Sequence, residues 1–420
     1  RHGQLEGPVN KRVIATFAAL LPLCQSEALA WCEYRGPKCN GDAGDVALPL
    51  EWSEEEHVRW KTEIPGRAWS TPVVGGGRAW LSTATEEGDL LYVFAVDIES
   101  GEILLERVVF EVGEPQHVNA LNSHASPSPV IAGERLFVHY GAYGTACLDT
   151  ESGEILWERR DLECEHLEGP GSSPVLVDGN LVFHMDGGDE QYVVALDPAS
   201  GATVWKKERG LDYAGIPRDM RKAFSTPLLL EVDGHEELIS SCAEATFAYD
   251  PKTGVELWRL RHRGFSMSAR PISDGERVFV NTGFMKPSLL AVRLGGKGEL
   301  SDASIAWKTS KNVPSMSSPV LVDGRLFFVD DGGIASCLDA KTGDTLWRER
   351  LGGEFSASPI HAAGRLYFFD RDGQATVLRA SERFEILAQN QLESGCMASP
   401  IAIGRALLVR TKTHLHRIEE

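Results

Sequence analysis

The chain has 420 residues, 42% of them hydrophobic and 25% charged, with a formal net charge of −19. That apolar content supports a sizeable core and excludes an intrinsically disordered polymer. The excess of acid excludes binding to nucleic acid or anionic membrane through non-specific electrostatics.

Residues 1–30 read as a secretion signal. Lys11-Arg12 is the basic head, Val13 to Leu23 an apolar run too short to span a bilayer, and Ala28-Leu29-Ala30 a small-residue cleavage site. Export to the periplasm or beyond is therefore expected. Leu21-Pro22-Leu23-Cys24 matches a lipoprotein signal less well, because Leu23 is larger than the small residue needed before a lipidated Cys. Residues 31–56 form an N-terminal extension. Within it Cys32 and Cys39 flank a Pro-Gly-containing loop and are candidates for a disulfide in an oxidising compartment.

From residue 57 onward the chain is repetitive. Pro steps fall at Thr71-Pro72, Ser128-Pro129, Ser173-Pro174, Thr226-Pro227, Arg270-Pro271, Ser318-Pro319, Ser358-Pro359 and Ser399-Pro400, spaced 57, 45, 53, 44, 48, 40 and 41 residues apart. A period of this size marks a repeat architecture. The unit is plainest at 317–350, where four short β-rich runs are separated by Asp323-Gly324, Asp331-Gly332-Gly333 and Lys341-Thr342-Gly343. Such runs with such turns are antiparallel hairpins. Eight units of four strands predict an all-β, eight-bladed β-propeller over 57–420.

A second phrase recurs inside the units: Asp97…Gly101…Leu105, Asp149…Gly153…Trp157, Asp197…Gly201…Trp205, Asp250…Gly254…Trp258 and Asp339…Gly343…Trp347. Asp caps the turn, Gly takes the positive φ, and Trp opens the outer strand, where its face can be buried between blades. Blade five breaks the phrase: Arg293 replaces Asp, and Gly295-Gly296-Lys297-Gly298 lengthens the turn before Trp307. Blade seven has Glu385-Ile386-Leu387 and no Trp. The eighth unit supplies three strands before the sequence given ends. His57–Ile64, with Trp60, is therefore expected to complete blade eight and close the ring.

Cys147 and Cys337 occupy one repeat position, filled elsewhere by Ala95, Ala195 and Ala248, and read with Cys242 as packed thiols. Cys164 and Cys396 lie in connectors. The long polar connectors of blades one to four are the natural place for function. His117, Asn122 and His124 fall between blades one and two, Cys164 and His166 between two and three. If they converge, His117, His124, Cys164 and His166 form a candidate zinc or copper site, and Cys164 with His166 a candidate nucleophile–base pair. Arg221, Lys222 and Arg270, with Arg371, would suit an anionic ligand if they meet at the channel.

The run Ser-Pro-Val-Leu-Val-Asp-Gly followed by Leu-Asp-Ala-Lys-Thr-Gly-Asp-Thr-Leu-Trp resembles the pyrroloquinoline-quinone (PQQ) type of propeller repeat. The stretches Trp31–Pro37, Asn122–Pro127, Gly144–Asp149, Gly169–Pro174 and Thr411–Leu415 resemble exported PQQ-like propellers of planctomycete-type bacteria. The wider resemblance implies one of two roles. One branch comprises PQQ- and calcium-dependent alcohol and sugar dehydrogenases; the other is a periplasmic outer-membrane assembly scaffold without a cofactor. The dehydrogenase branch stacks its quinone on a vicinal disulfide and uses an Asp base, and neither has a counterpart here. No catalytic residue and no cofactor are therefore assigned. The reading favoured is an exported monomeric scaffold that engages a protein, small molecule or carbohydrate at the connector face of blades one to four. A PQQ- or metal-dependent oxidoreductase is the alternative. A carbohydrate-binding propeller, with Trp69 beside the first Pro step, is the third.

Overall fold

The computed structural model describes residues 31–420. The expected signal at 1–30, Cys24 included, lies outside the described residues. The rest is a ring of eight antiparallel sheets, seven of four strands and one of five. Blade one runs Val73–Gly75, Arg78–Ala84, Leu90–Asp97 and Ile103–Glu111, and later blades repeat this order. Blade eight closes as the sequence predicts. Val58–Glu63 pairs antiparallel with His414–Ile418, from Val58 opposite Ile418 to Glu63 opposite His414, with a register shift between Val58 and Trp60.

The repeated phrase joins neighbouring blades. Within each turn the Asp carboxylate accepts two backbone amides, as Asp197 does from Ala199 and Ser200 at 2.8 Å each. The Gly four positions after the Asp lies against the outer-strand Trp of the preceding blade. A Cβ on Gly201 would stand 2.6 Å from the Trp157 ring, and one on Gly254 2.7 Å from Trp205. Each indole N–H then donates to a carbonyl of that same turn: Trp60 to Ile98, Trp157 to Pro198, Trp205 to Pro251, Trp307 to Ala340 and Trp347 to Ser381, all at 2.9–3.1 Å. The large apolar face is thus buried while its one polar atom is satisfied.

Blade five shows what happens where the phrase fails. With no Asp…Gly turn to receive it, Trp258 donates instead to the Glu237 carboxylate at 2.8 Å and is fully buried. The lengthened turn also adds a strand, Gly298–Leu300, which pairs in parallel with the outer edge of blade four at Trp258–Leu260. This is the fifth strand of that sheet.

The Pro steps have a second role. At six of the eight Pro steps the hydroxyl before Pro accepts the backbone amide of the equivalent residue in the preceding blade: Thr71 to Ser128, Ser128 to Ser173, Ser173 to Thr226, Arg270 to Ser318, Ser318 to Ser358 and Ser358 to Ser399, at 2.9–3.1 Å. These bonds lie end to end around the channel and satisfy amides that the irregular start of each inner strand would otherwise leave bare. Cys147, Cys242 and Cys337 are buried among apolar neighbours, and burial pushes each thiol up to about 12.

Residues 31–44 do not lie outside the ring. They cross the channel. The Trp31 and Cys32 carbonyls accept from Val74 and Ile131 of blades one and two, and Tyr34 meets Ser358 of blade seven. The buried Arg35 donates to the Pro359 and Pro319 carbonyls, at 2.7 and 3.3 Å. Asp42 accepts from His361 at 2.7 Å. Residues 45–56 then pass over blade seven, where Trp52 stacks on Tyr367 and Phe369, and deliver the chain to blade eight.

Candidate functional site

The segment that crosses the channel makes it blind. What remains on the connector side is a funnel of about 360 Å³ with Tyr34 at its floor. Its wall is largely apolar, formed by Trp69, Phe224, Phe265, Met316 and Met397, above the ring of hydroxyls that includes Thr71, Ser128 and Ser399. Leu121, from the connector between blades one and two, and Phe284 and Met285, from a turn of blade five, stand at its mouth. Phe284 is 48% exposed and Met285 72%. The Phe284 amide donates to the Phe265 carbonyl, and Met285 holds a φ of +69°, a strained conformation for a residue with a Cβ.

Three charged side chains line the funnel: Glu168, Asp219 and Lys222. Lys222 is buried; its ammonium donates to the Asp219 carbonyl, lies 3.9 Å from a Glu168 oxygen and sits over the Phe265 ring. Burial lowers its pKa against the pull of the two carboxylates. The other Glu168 oxygen, Oε2, and the Trp69 indole N–H are buried without a hydrogen-bond partner. Arg67 covers Trp69 with its guanidinium 5.4 Å from the ring centre.

Of the residues singled out in the sequence, Trp69, Asn122 and Lys222 line the funnel. Asn122 is spent on the neighbouring connector, with its amide donating to the Glu168 and Pro170 carbonyls. His117 is exposed. His124 is buried against Tyr143, Nδ1 to hydroxyl 3.2 Å, and burial, with Arg67 and His117 nearby, lowers its pKa. The four expected metal ligands do not meet: among the described residues no group of three or more His, Cys, Asp or Glu side chains is placed to hold a metal ion.

Cys164 and His166 do approach, Sγ to Nδ1 3.8 Å, yet they do not form a nucleophile–base pair. His166 Nε2 accepts the Ala142 amide at 3.0 Å, so Nδ1 carries the proton and points it at sulfur. Burial then lowers the imidazole to about 4 and raises the thiol, with Asp189 and Asp186 adding to the latter. Both shifts oppose thiolate formation.

The cations do not gather at the channel mouth either. Arg221 donates to the Ile216 carbonyl, and Arg371 pairs with Glu354. Arg270, the residue that replaces the ring hydroxyl in blade five, is buried and holds the crossing segment, donating to the Tyr34 carbonyl at 2.5 Å and to Glu33 at 3.4 Å. The expected disulfide does not form. Cys32 packs toward the core of blades one and two, Cys39 toward that of blades four and five, and the Cys39 thiol meets Glu33 instead at 2.5 Å. Crossing the channel separates two cysteines that a local loop would have brought together.

Sequence reasoning missed Tyr34, Met316, Met397 and the Phe284–Met285 tip. The tip had a signal. Asp, Gly and small polar residues fill most of the matching turns, and Phe284-Met285 is an apolar pair in that place.

Ring, closing strand and funnel together define a β-propeller of the PQQ-like type. The chain belongs to the family described as outer membrane protein assembly factor BamB, whose profile matches residues 92–243, 189–292 and 248–383. Among solved structures, it is similar to BamB from Moraxella catarrhalis, at 12% identity over 86% of this chain and 99% of that one, TM-score 0.60. It is equally similar to a europium-containing methanol dehydrogenase, at 12% identity over 93% and 89%, TM-score 0.62. A computationally designed protein, Ika8, shares the ring at 11% identity over 89% and 100%, TM-score 0.58. At these identities the likeness is one of fold. A comparison with curated sequences returns no match.

Proposed function

We propose that the protein is an exported, non-catalytic scaffold that binds a partner at the connector face, through the blind funnel. One observation carries this reading. Eleven large apolar side chains are exposed among the described residues. Eight stand on or at the head of outer strands, and the remaining three, Leu121, Phe284 and Met285, all line the funnel mouth. Apolar side chains held open around a closed-bottomed cavity mark a binding site.

The funnel does not fit PQQ. A tricarboxylate needs converging cations, whereas the lining offers two carboxylates and one lysine that is already bonded. The described cysteines also include no adjacent pair on which a quinone could stack. Family membership supports the scaffold reading.

Site-specific photo-crosslinking in the source cells tests the proposal. Photoreactive residues at 121, 284 and 285 should give one discrete adduct, and residues at Gly76 and Gly324 on the opposite face should give none. Equal labelling from both faces, or dye reduction with alcohols after addition of PQQ and Ca²⁺, would overturn it.

A further inference from the structure

Resting on the scaffold reading, we infer that the funnel receives an extended peptide segment carrying apolar side chains next to a positive charge. The apolar half follows from the wall. Met316 and Met397 line the interior beside Phe265, and Met285 stands at the rim. Thioethers adapt to side chains of differing shape, as a surface that reads apolar character needs. The cavity holds a few side chains and not a folded domain, while Leu121 and Phe284 extend the contact at its mouth from two separate loops. An extended segment, its side chains entering and its backbone crossing the mouth, fits that shape.

The charge half follows from Glu168. Its side chain lines the cavity and stays 31% exposed, while its Oε2 is turned inward without a donor. Lys222 approaches only the other oxygen, at 3.9 Å, and its own ammonium is held by the Asp219 carbonyl. With Asp219 exposed on the same wall, the lining carries one net negative charge. A part-buried carboxylate short of donors is costly, and an entering ammonium or guanidinium that meets its exposed edge would add a charge-assisted bond. The surrounding face carries further exposed acid at Glu86, Glu87, Glu114 and Glu163, so a basic segment is attracted before it docks. The aromatic rings of Phe265 and Trp69 add faces suited to a cation.

Fluorescence anisotropy on the full chain tests this with three labelled ten-residue peptides. One has a Leu-Phe core flanked by Lys, one the same core flanked by Glu, and one a Ser core flanked by Lys. The first should bind at least tenfold more tightly than either other, and weaken several-fold between 50 and 500 mM NaCl. Glu168→Gln should reduce its affinity several-fold without changing that of the Glu-flanked peptide, and Met285→Ser, at an exposed position, should weaken binding with the melting temperature unchanged. Equal binding of the Glu-flanked peptide overturns the charge assignment and leaves the scaffold reading standing. Failure of all three peptides, with dodecylamine micelles binding instead, overturns the peptide assignment. In either case the crosslinking pattern from residues 121, 284 and 285 decides the scaffold reading separately.

Discussion

Replacing Gly201 by Ala isolates the contact on which the ring depends. Gly201 has a φ of +72°, and an added Cβ would lie 2.6 and 2.9 Å from two carbons of Trp157. Gly179, in the same blade, has a φ of +76° with nothing within 4 Å of its Cβ position. Both substitutions incur the left-handed backbone penalty of about 1 kcal/mol. Gly201→Ala must also push the indole back toward ordinary contact distance. That overpacks the blade interface by about 1–3 kcal/mol and strains the 3.0 Å bond from the indole to the Pro198 carbonyl. The expected result is a difference of about 2 kcal/mol between the two variants in urea unfolding followed by Trp fluorescence, with unchanged m values. If the two variants agree within about 0.5 kcal/mol, the phrase is a turn signal alone and does not join blades.

Arg270→Met should destabilise by about 3 kcal/mol, since it removes a buried guanidinium from the Tyr34 and Pro227 carbonyls. Amide exchange in residues 31–44 should accelerate by at least tenfold, and unchanged exchange there would show that the crossing segment is held by other contacts. Glu237→Ala should cost about 1–3 kcal/mol by orphaning the Trp258 indole, while Glu237→Gln, which keeps an acceptor, should be near neutral; equal losses would deny the bond its role. Acid should weaken the fold. Burial holds His139, His166 and His416 at about 3, 4 and 4. The unfolded chain takes these protons near pH 6.5, so their contribution is complete above that pH and is lost as pH falls toward 4. For His166 alone the loss amounts to about 3 kcal/mol. His166→Asn should flatten the fall in melting temperature over that window, and an unchanged slope would contradict this assignment.

The ring was legible because its signals are local and repeated. Asp-Gly turns, Pro steps and the spacing of Trp each act within a few residues, and His57–Ile64 was identifiable as the missing strand by subtraction. Two features of the phrase were visible without their meaning. The hydroxyl before each Pro was part of a counted step, yet its partner lies a whole blade away, as Ser173 is from Ser128. Arg270 stood out as the exception in that series, but its use depends on Tyr34 and Glu33, more than two hundred positions earlier. The site candidates failed for a related reason. His124, Cys164 and His166 lie in polar connectors, which by composition belong at a surface, and all three are buried against Tyr143, the Ala142 amide or one another. Residue type at a connector does not say which way the connector folds over the blade edge. The funnel, assembled from apolar residues of several blades, has no contiguous signature at all.

The closing strand and the stretch that leads into it, residues 45–63, find partners in blades seven and eight. Leu50 bonds to Glu420, 370 positions away, and Trp52 to Asn390, 338 away. Contacts of such separation form late, because the ordering of all the intervening chain precedes any gain from them. Blades one to seven can each assemble from neighbours in order, but Val58–Glu63 waits for its strand partner until His414–Ile418 is available. The same geometry that seals the finished ring thus sets a slow last step in folding, during which this strand is the part of the molecule most open to proteases and to self-association.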